Sequence, residues 1–170
     1  LVEFELNPKV VGEGMITKIL PRKNFLLRPT MANLDLFVLT MACATPDFSP
    51  IIADKLLLLA EKAKIPTVLV LNKMDLVSAE QVEILTKLYT QIGYEVFPIA
   101  AKTGLGVEKL RERLRGKICA FGGPSGVGKS STINAIDPEV ALRTGQVSEK
   151  IGRGKHTTRF AQLLPFDGGY

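Results

Sequence analysis

The run Gly123-Pro124-Ser125-Gly126-Val127-Gly128-Lys129-Ser130 constrains the fold of this chain more than any other stretch of it. An apolar segment, Lys117–Phe121, feeds into it and reads as a strand, and Lys129–Ile136 follows as a helix stopped at Asp137-Pro138. A strand, a glycine-rich loop ending in Gly-Lys-Ser and a helix together form a phosphate-binding P-loop. Glycine lets the backbone turn its N–H groups inward toward phosphate oxygens, and the positive end of the next helix adds to the attraction. Lys129 is expected to reach the β- and γ-phosphates and Ser130 to offer its hydroxyl to Mg2+. Gly123, Pro124, Ser125, Gly126, Val127, Gly128 and Ser131 complete the expected phosphate site, Ser125 and Val127 mainly through their backbone.

A P-loop alone would suit an ATPase or a kinase equally well. Asn72-Lys73-Met74-Asp75 narrows the choice, because it follows the apolar run Thr67–Leu71 and so lies at the carboxyl end of a strand, where open α/β sheets bind ligands. A carboxylate at Asp75 accepts two hydrogen bonds from guanine N1 and N2, a donor pair that adenine lacks. Asn72 is placed to bond N7 and hold the loop, and the Lys73 stem to cover the base face. Ala100-Ala101-Lys102 follows the next strand, where backbone N–H groups of a third loop would meet guanine O6. Those three residues are a weak signal alone and gain weight from their spacing behind Asp75.

Elsewhere the chain reads as alternating strands and helices from Leu34 onward, the signature of a mostly parallel sheet covered by helices. Asp35–Thr40 is a buried strand. Ser49-Pro50 opens a helix running to about Lys64, with Ser49 as N-cap and proline at the first helical position. Ser78 and Gln81 form a capping-box pattern ahead of a helix with Val82, Leu85, Leu88 and Tyr89 on one face, ended by Gly93. Val96–Ala100 is a strand, and Gly104-Leu105-Gly106 turns into a helix over Val107–Arg115. Residues 1–28 read as short strands at the end of a small β module, and Pro29–Asn33 as a linker.

The segment Leu142–Thr158 carries three glycines, Gly145, Gly152 and Gly154, and little apolar periodicity, which marks a mobile loop. His156-Thr157-Thr158 closes it. Thr158, immediately before the expected strand Phe160–Leu164, is favoured over Thr157 as a second Mg2+ ligand and sensor of the γ-phosphate. His156 has three open roles: positioning water, contacting RNA, or none. Asp167-Gly168-Gly169 reads as a hairpin turn, and Asp167 is not the start of an Asp-x-x-Gly motif because Tyr170 stands where glycine is needed. Nucleotide binding is therefore better explained by these residues than hydrolysis.

Charge and cysteine usage exclude several classes. Formal charge is +5, from 22 basic and 17 acidic residues, a mild excess that favours polyanions without naming one. Basic residues gather at Arg22, Lys23 and Arg28 and at Lys150, Arg153, Lys155 and Arg159, where RNA or nucleotide phosphate are the sharper readings. Apolar stretches fall short of the roughly 20 residues a membrane helix needs, so a soluble chain with no membrane partner is expected, and with no signal segment visible a cytoplasmic one. Cys43 and Cys119 sit apart inside apolar runs, and with one histidine, His156, these residues hold no zinc set. No heptad pattern demands a coiled coil, and a monomer is expected.

The base-reading segments at 72–75 and 100–102 precede the P-loop at 123–130, the reverse of the order in ordinary small GTPases. Such a circular permutation keeps the sheet contacts and moves only the termini, which lie at the surface. With that order, LNKMDLV at Leu71–Val77, AAKTGLGVEKL at Ala100–Leu110, GGPSGVGKSSTIN at Gly122–Asn134 and GRGKHTT at Gly152–Thr158, the chain resembles the bacterial ribosome small subunit-dependent GTPases. GMITKILPRKNFLLRP at Gly14–Pro29 and ANLD at Ala32–Asp35 extend the likeness to the end of that family's OB domain.

The resemblance implies an α/β, circularly permuted P-loop GTPase domain over 34–170, incomplete at its end, behind a partial OB-type β module over 1–28. It implies GTP and GDP as substrate and product, Mg2+ as cofactor, and the small ribosomal subunit and its rRNA as partners in late maturation. Zn2+ is implied only for a C-terminal domain beyond these residues. It also gives Lys129 and Ser130 the phosphate and Mg2+ roles, Asn72 and Asp75 the guanine role, and puts His156 and Thr158 in the first switch. Departures are the incomplete OB module, an Asp-x-x-Gly expected only after Tyr170, and Ala100 where serine is common. A nucleotide-regulated RNA-binding protein with poor hydrolysis is the main alternative, and an ATP-using P-loop enzyme the second.

Overall fold

The computed structural model describes residues 1–8, 10, 12–27, 30–139 and 164–170. Its centre is a parallel sheet in the order β7-β6-β5-β8, made of β5 (Leu36–Ala42), β6 (Thr67–Asn72), β7 (Glu95–Pro98) and β8 (Cys119–Gly122). All seven residues of β5 are buried, as a central strand covered on both faces must be. Alternation splits them. Phe37, Leu39 and Met41 join Ala53, Leu57 and Ala60 of α1 (Pro50–Lys62) and Tyr89 of α2 (Ala79–Gln91). Leu36 and Val38 face the other way, toward Val107, Leu110 and Leu114 of α3 (Val107–Leu114) and Ile136 of α4 (Lys129–Ile136).

Helix boundaries follow local chemistry. Ser78 Oγ accepts the Gln81 N–H at 3.3 Å and Gln81 Oε1 accepts the Ser78 N–H at 3.2 Å, the expected capping box. Ser49 does precede α1, with Pro50 first in the helix, but its hydroxyl makes no capping bond. That helix ends at Lys62, because Lys64 turns left-handed at φ 54 and the Ile65 N–H reaches back to Ala60 O at 3.0 Å. On α2 only Tyr89 is buried, Val82 and Leu85 are half-buried, and Leu88 is 46% exposed. The helix lies over the β7 edge of the sheet, where one row of side chains faces inward and the next faces solvent.

At the N-terminus, β1 (Val2–Leu6) and β2 (Gly14–Ile19) pair antiparallel, and every residue of both is exposed. A lone two-stranded ribbon has no face to bury. The expected linker at 29–33 contains β4 (Met31–Ala32), which pairs with β3 (Phe25–Leu26), and Asn24, Leu26 and Leu34 beside it are buried. Asn24 Nδ2 donates to Leu34 O at 2.7 Å and Asn24 Oδ1 accepts the Leu34 N–H at 2.9 Å, so this stretch is bound to the start of the sheet domain.

The turn at Asp167-Gly168 is present, with φ 38 and 80, the left-handed pair of a two-residue hairpin turn. After it, the Tyr170 N–H donates to Lys117 O at 3.0 Å and Tyr170 O accepts the Cys119 N–H at 2.6 Å, against the free edge of β8. Most of the expected strand Phe160–Leu164 lies outside the described residues.

Candidate functional site

The carboxyl ends of four parallel strands deliver four loops to one edge of the sheet. From β8 the chain enters the P-loop through Gly123, whose φ is 135 and where a Cβ would stand 2.0 Å from Thr40 O of β5. No side chain fits there. Gly128 is the second such position: its φ is 93, and a Cβ on it would lie 2.2 Å from Asn72 Nδ2. The close approach of the two segments thus requires glycine.

Asn72 is the clasp between the loops. It is 2% exposed, its Nδ2 donates to Val127 O at 2.9 Å, and its Oδ1 accepts the N–H of Lys73 at 2.8 Å and of Ala101 at 3.1 Å. One buried amide therefore joins the P-loop to both base-side loops expected from the sequence. A buried amide group is costly unless bonded, so each loop holds the others in place. Lys73 adds a second tie, donating from Nζ to Gly126 O at 2.8 Å and to Thr45 O.

Lys129 Nζ donates to Gly123 O at 2.9 Å and Pro124 O at 2.7 Å, across the mouth of its own loop. Burial lowers its pKa from the ordinary lysine value. Ser125, Gly126, Ser130 and Ser131 are exposed and Val127 is buried. Thr132, which the sequence did not single out, is fully buried with its Oγ1 on Gly128 O at 2.9 Å, and so steadies the first turn of α4. No cluster of three or more His, Cys, Asp and Glu suited to a metal occurs among the described residues. That donor set still fits Mg2+, which binds through one or two protein oxygens with phosphate oxygens and waters completing its shell. The exposed Ser130 hydroxyl is such an oxygen.

On the base side, Asp75 lies exposed in a short 3-10 turn, Met74–Leu76, anchored by the Met74 N–H on Ile99 O at 3.1 Å. Of the three residues Ala100–Lys102 beyond β7, Ala100 spends its N–H on Leu105 O at 2.9 Å and Ala101 on Asn72, whereas the Lys102 N–H has no partner among the described residues. His156, Thr157 and Thr158 lie outside the described residues.

A loop, residues 43–49, joins β5 to α1. In the fold it closes the site: Thr45 O meets Lys73 Nζ, the Cys43 N–H donates to Asn72 O at 2.8 Å, and Pro46 Cδ lies 3.6 Å from where a Cβ on Gly126 would stand. No sequence motif marks these residues, because they act through backbone atoms. Burial pushes the Cys43 thiol up to about 11, with the nearby Asp75 carboxylate adding to the shift.

Comparison with known proteins follows the same lines. The family model described as RsgA GTPase matches residues 19–170. A Small ribosomal subunit biogenesis GTPase RsgA from Caldanaerobacter subterraneus subsp. tengcongensis is 48% identical over 159 residues, covering 93% of this chain and 54% of the relative. The protein of the same name from Thermotoga petrophila is 48% identical over 170 residues, covering 98% and 57%. The chain therefore spans little more than half the length of these curated relatives. Among solved structures, YjeQ from Thermotoga maritima superposes with a TM-score of 0.78 at 41% identity, over 99% of this chain and 56% of that one. YloQ, described as a circularly permuted GTPase, superposes with a TM-score of 0.70 at 31% identity, over 81% and 49%. The expected fold class, a circularly permuted α/β GTPase domain, is that of these neighbours.

Proposed function

This chain belongs to the RsgA GTPase family, and from that premise we propose that it is the nucleotide-binding part of a GTPase acting in maturation of the small ribosomal subunit. The observation that carries the reading is the Asn72 clasp, which puts a P-loop and an Asn-Lys-x-Asp loop within one hydrogen bond of each other. In the proposed complex the GTP phosphates lie in the loop Gly123–Ser130, and Lys129 exchanges the Gly123 and Pro124 carbonyls for phosphate oxygens. Lys129 holds its proton there, because phosphate charge offsets the burial that lowers its pKa. Asp75 accepts from guanine N1 and N2, the Lys102 N–H, the one in Ala100–Lys102 left without a partner among the described residues, donates to O6, Asn72 meets N7, and the Lys73 stem covers the base. When bound, Mg2+ supplies neutralisation of phosphate charge, held by Ser130 and, in this reading, Thr158.

The switch segment ending at His156-Thr157-Thr158 is proposed to order around GTP and present its basic residues to rRNA, with His156 helping the hydrolysis that the subunit stimulates. Strands β1 and β2 are read as the end of an OB-type module over 1–28 and the GTPase domain as beginning at Leu34. The remaining length of the relatives leaves room for the zinc domain that the family resemblance implies. No helix among the described residues is long and apolar enough to cross a membrane, and a cytoplasmic monomer is the reading adopted.

The test is GTP turnover by the intact protein, alone and with purified small or large subunits. Strong stimulation by the small subunit alone is expected. GTP binding without stimulation would favour a nucleotide-regulated RNA-binding protein instead. In parallel, Asp75→Asn is expected to exchange preference for guanine for preference for xanthine nucleotides, and an unchanged preference removes Asp75 from base recognition.

A further inference from the structure

Lys73 is held by two carbonyls, and one of them comes from a loop without a motif. Gly126 O ties it to the P-loop at 2.8 Å, and Thr45 O ties it to the turn after β5. Thr45 has φ 48 and Lys73 has φ 62, so both ends of this second bond sit in left-handed backbone. For a β-branched residue such as threonine that conformation is strained and persists only where its surroundings impose it. The surroundings are the Cys43 N–H on Asn72 O and Pro46, whose Cδ lies 3.6 Å from where a Cβ on Gly126 would stand, so the turn lies between the base-side loop and the phosphate loop.

We infer that Thr45 is a positioning residue for nucleotide recognition: its left-handed backbone aims its carbonyl at Lys73 Nζ and fixes the lysine stem in place before the base arrives. The inference deepens the proposed function and rests on Lys73 lying against the base. A free lysine stem has many rotamers, and ordering it on binding costs affinity that prior restraint saves. What the site needs from residue 45 is a carbonyl in left-handed backbone, which glycine and asparagine supply with less strain than threonine. Proline, locked near φ −65°, does not supply it.

The experiment measures GDP affinity and dissociation rate for the intact protein and for Thr45→Gly, Thr45→Asn, Thr45→Pro, Lys73→Met and the Thr45→Pro/Lys73→Met double variant. Thr45→Pro and Lys73→Met are each expected to weaken binding about threefold to tenfold, mainly through faster dissociation. The double variant is expected to be no weaker than Lys73→Met alone, because residue 45 acts through the lysine. Thr45→Gly and Thr45→Asn, the conservative replacements, retain the wild-type affinity. Losses that add in the double variant, or a loss in both conservative variants, overturn the inference. Wild-type binding by Lys73→Met overturns the base-side assignment of Lys73 itself, and the inference with it. Nitrogen-15 NMR of the Lys73 amino group in the nucleotide-free wild-type protein tests the restraint without any variant. A signal protected from solvent exchange is expected, and one that exchanges as fast as the surface lysines overturns the inference.

Discussion

Asp35 joins three segments through one carboxylate. Its Oδ2 accepts the Ile118 N–H at 3.0 Å, and its Oδ1 accepts Lys23 Nζ at 2.7 Å. The Ile118 N–H, and after it the Lys23 ammonium, hold the Asp35 pKa below the ordinary value of 3.8. A carboxyl lowered in the folded state contributes stability that is fully present above that ordinary value and is lost as pH falls through the folded pKa. Asp35→Ala is therefore expected to cost about 1 kcal/mol at pH 7, chiefly through the orphaned Ile118 N–H. The half-exposed ion pair with Lys23 adds little to this. Thermal melts at pH 7 and in strong acid check it: the gap between wild type and variant should narrow as the carboxyl protonates. A gap of equal size at both pH values would assign the effect to packing.

At the scale of the element, the P-loop and α4 depend on two glycines for different reasons than a loop far from contact does. A Cβ at Gly128 would meet the Asn72 amide at 2.2 Å in backbone with φ 93, whereas one at Gly104, with φ 81, would meet nothing within 4 Å. Gly104→Ala isolates the strain of left-handed backbone, about 1 to 2 kcal/mol. Gly128→Ala adds the broken clasp and is expected to cost about 2 to 4 kcal/mol and most of the nucleotide affinity. Chemical denaturation and GDP titration of the two variants side by side read both effects. Equal stabilities would show that the clasp can shift at no cost. The loop before α4 is thus held from outside, by β6, and not by its own hydrogen bonds alone.

Across the whole molecule, stability is unevenly distributed. Strands β5 and β6 are buried between two helical layers, while β1 and β2 expose Val2, Phe4, Met15, Ile16 and Ile19. Backbone hydrogen bonds open to solvent break without unfolding the rest. Hydrogen exchange on the intact protein is expected to label β1 and β2 early and the core of β5 and β6 last, near the rate of global unfolding. Early protection of β1 and β2 would mean that a further part of the protein covers the ribbon. Such cover would also account for its exposed apolar residues, which a free surface seldom gathers in one place.

Much of this was legible along the chain. The P-loop helix spans Lys129–Ile136 as read from the residues, and the capping box at Ser78 and Gln81 formed as its spacing required. Those features are local: turn chemistry, glycine at left-handed positions and the period of the apolar residues depend on near neighbours. The reversed order of the two nucleotide motifs was equally plain, since order is a property of the chain. What the chain could not declare was how its loops meet. Asn72 reads in sequence as a residue that meets the base and holds its loop, and the fold adds the partner it holds, Val127 O, 55 positions away. The Ala100 and Ala101 N–H groups are taken by protein partners, and Thr45 enters the site through a backbone carbonyl. The stretch read as a linker carries a strand, since β3 supplies a partner only once the chain has folded back. Backbone atoms leave no mark in the sequence, so contacts made by them are decided only when the tertiary structure brings strand ends together.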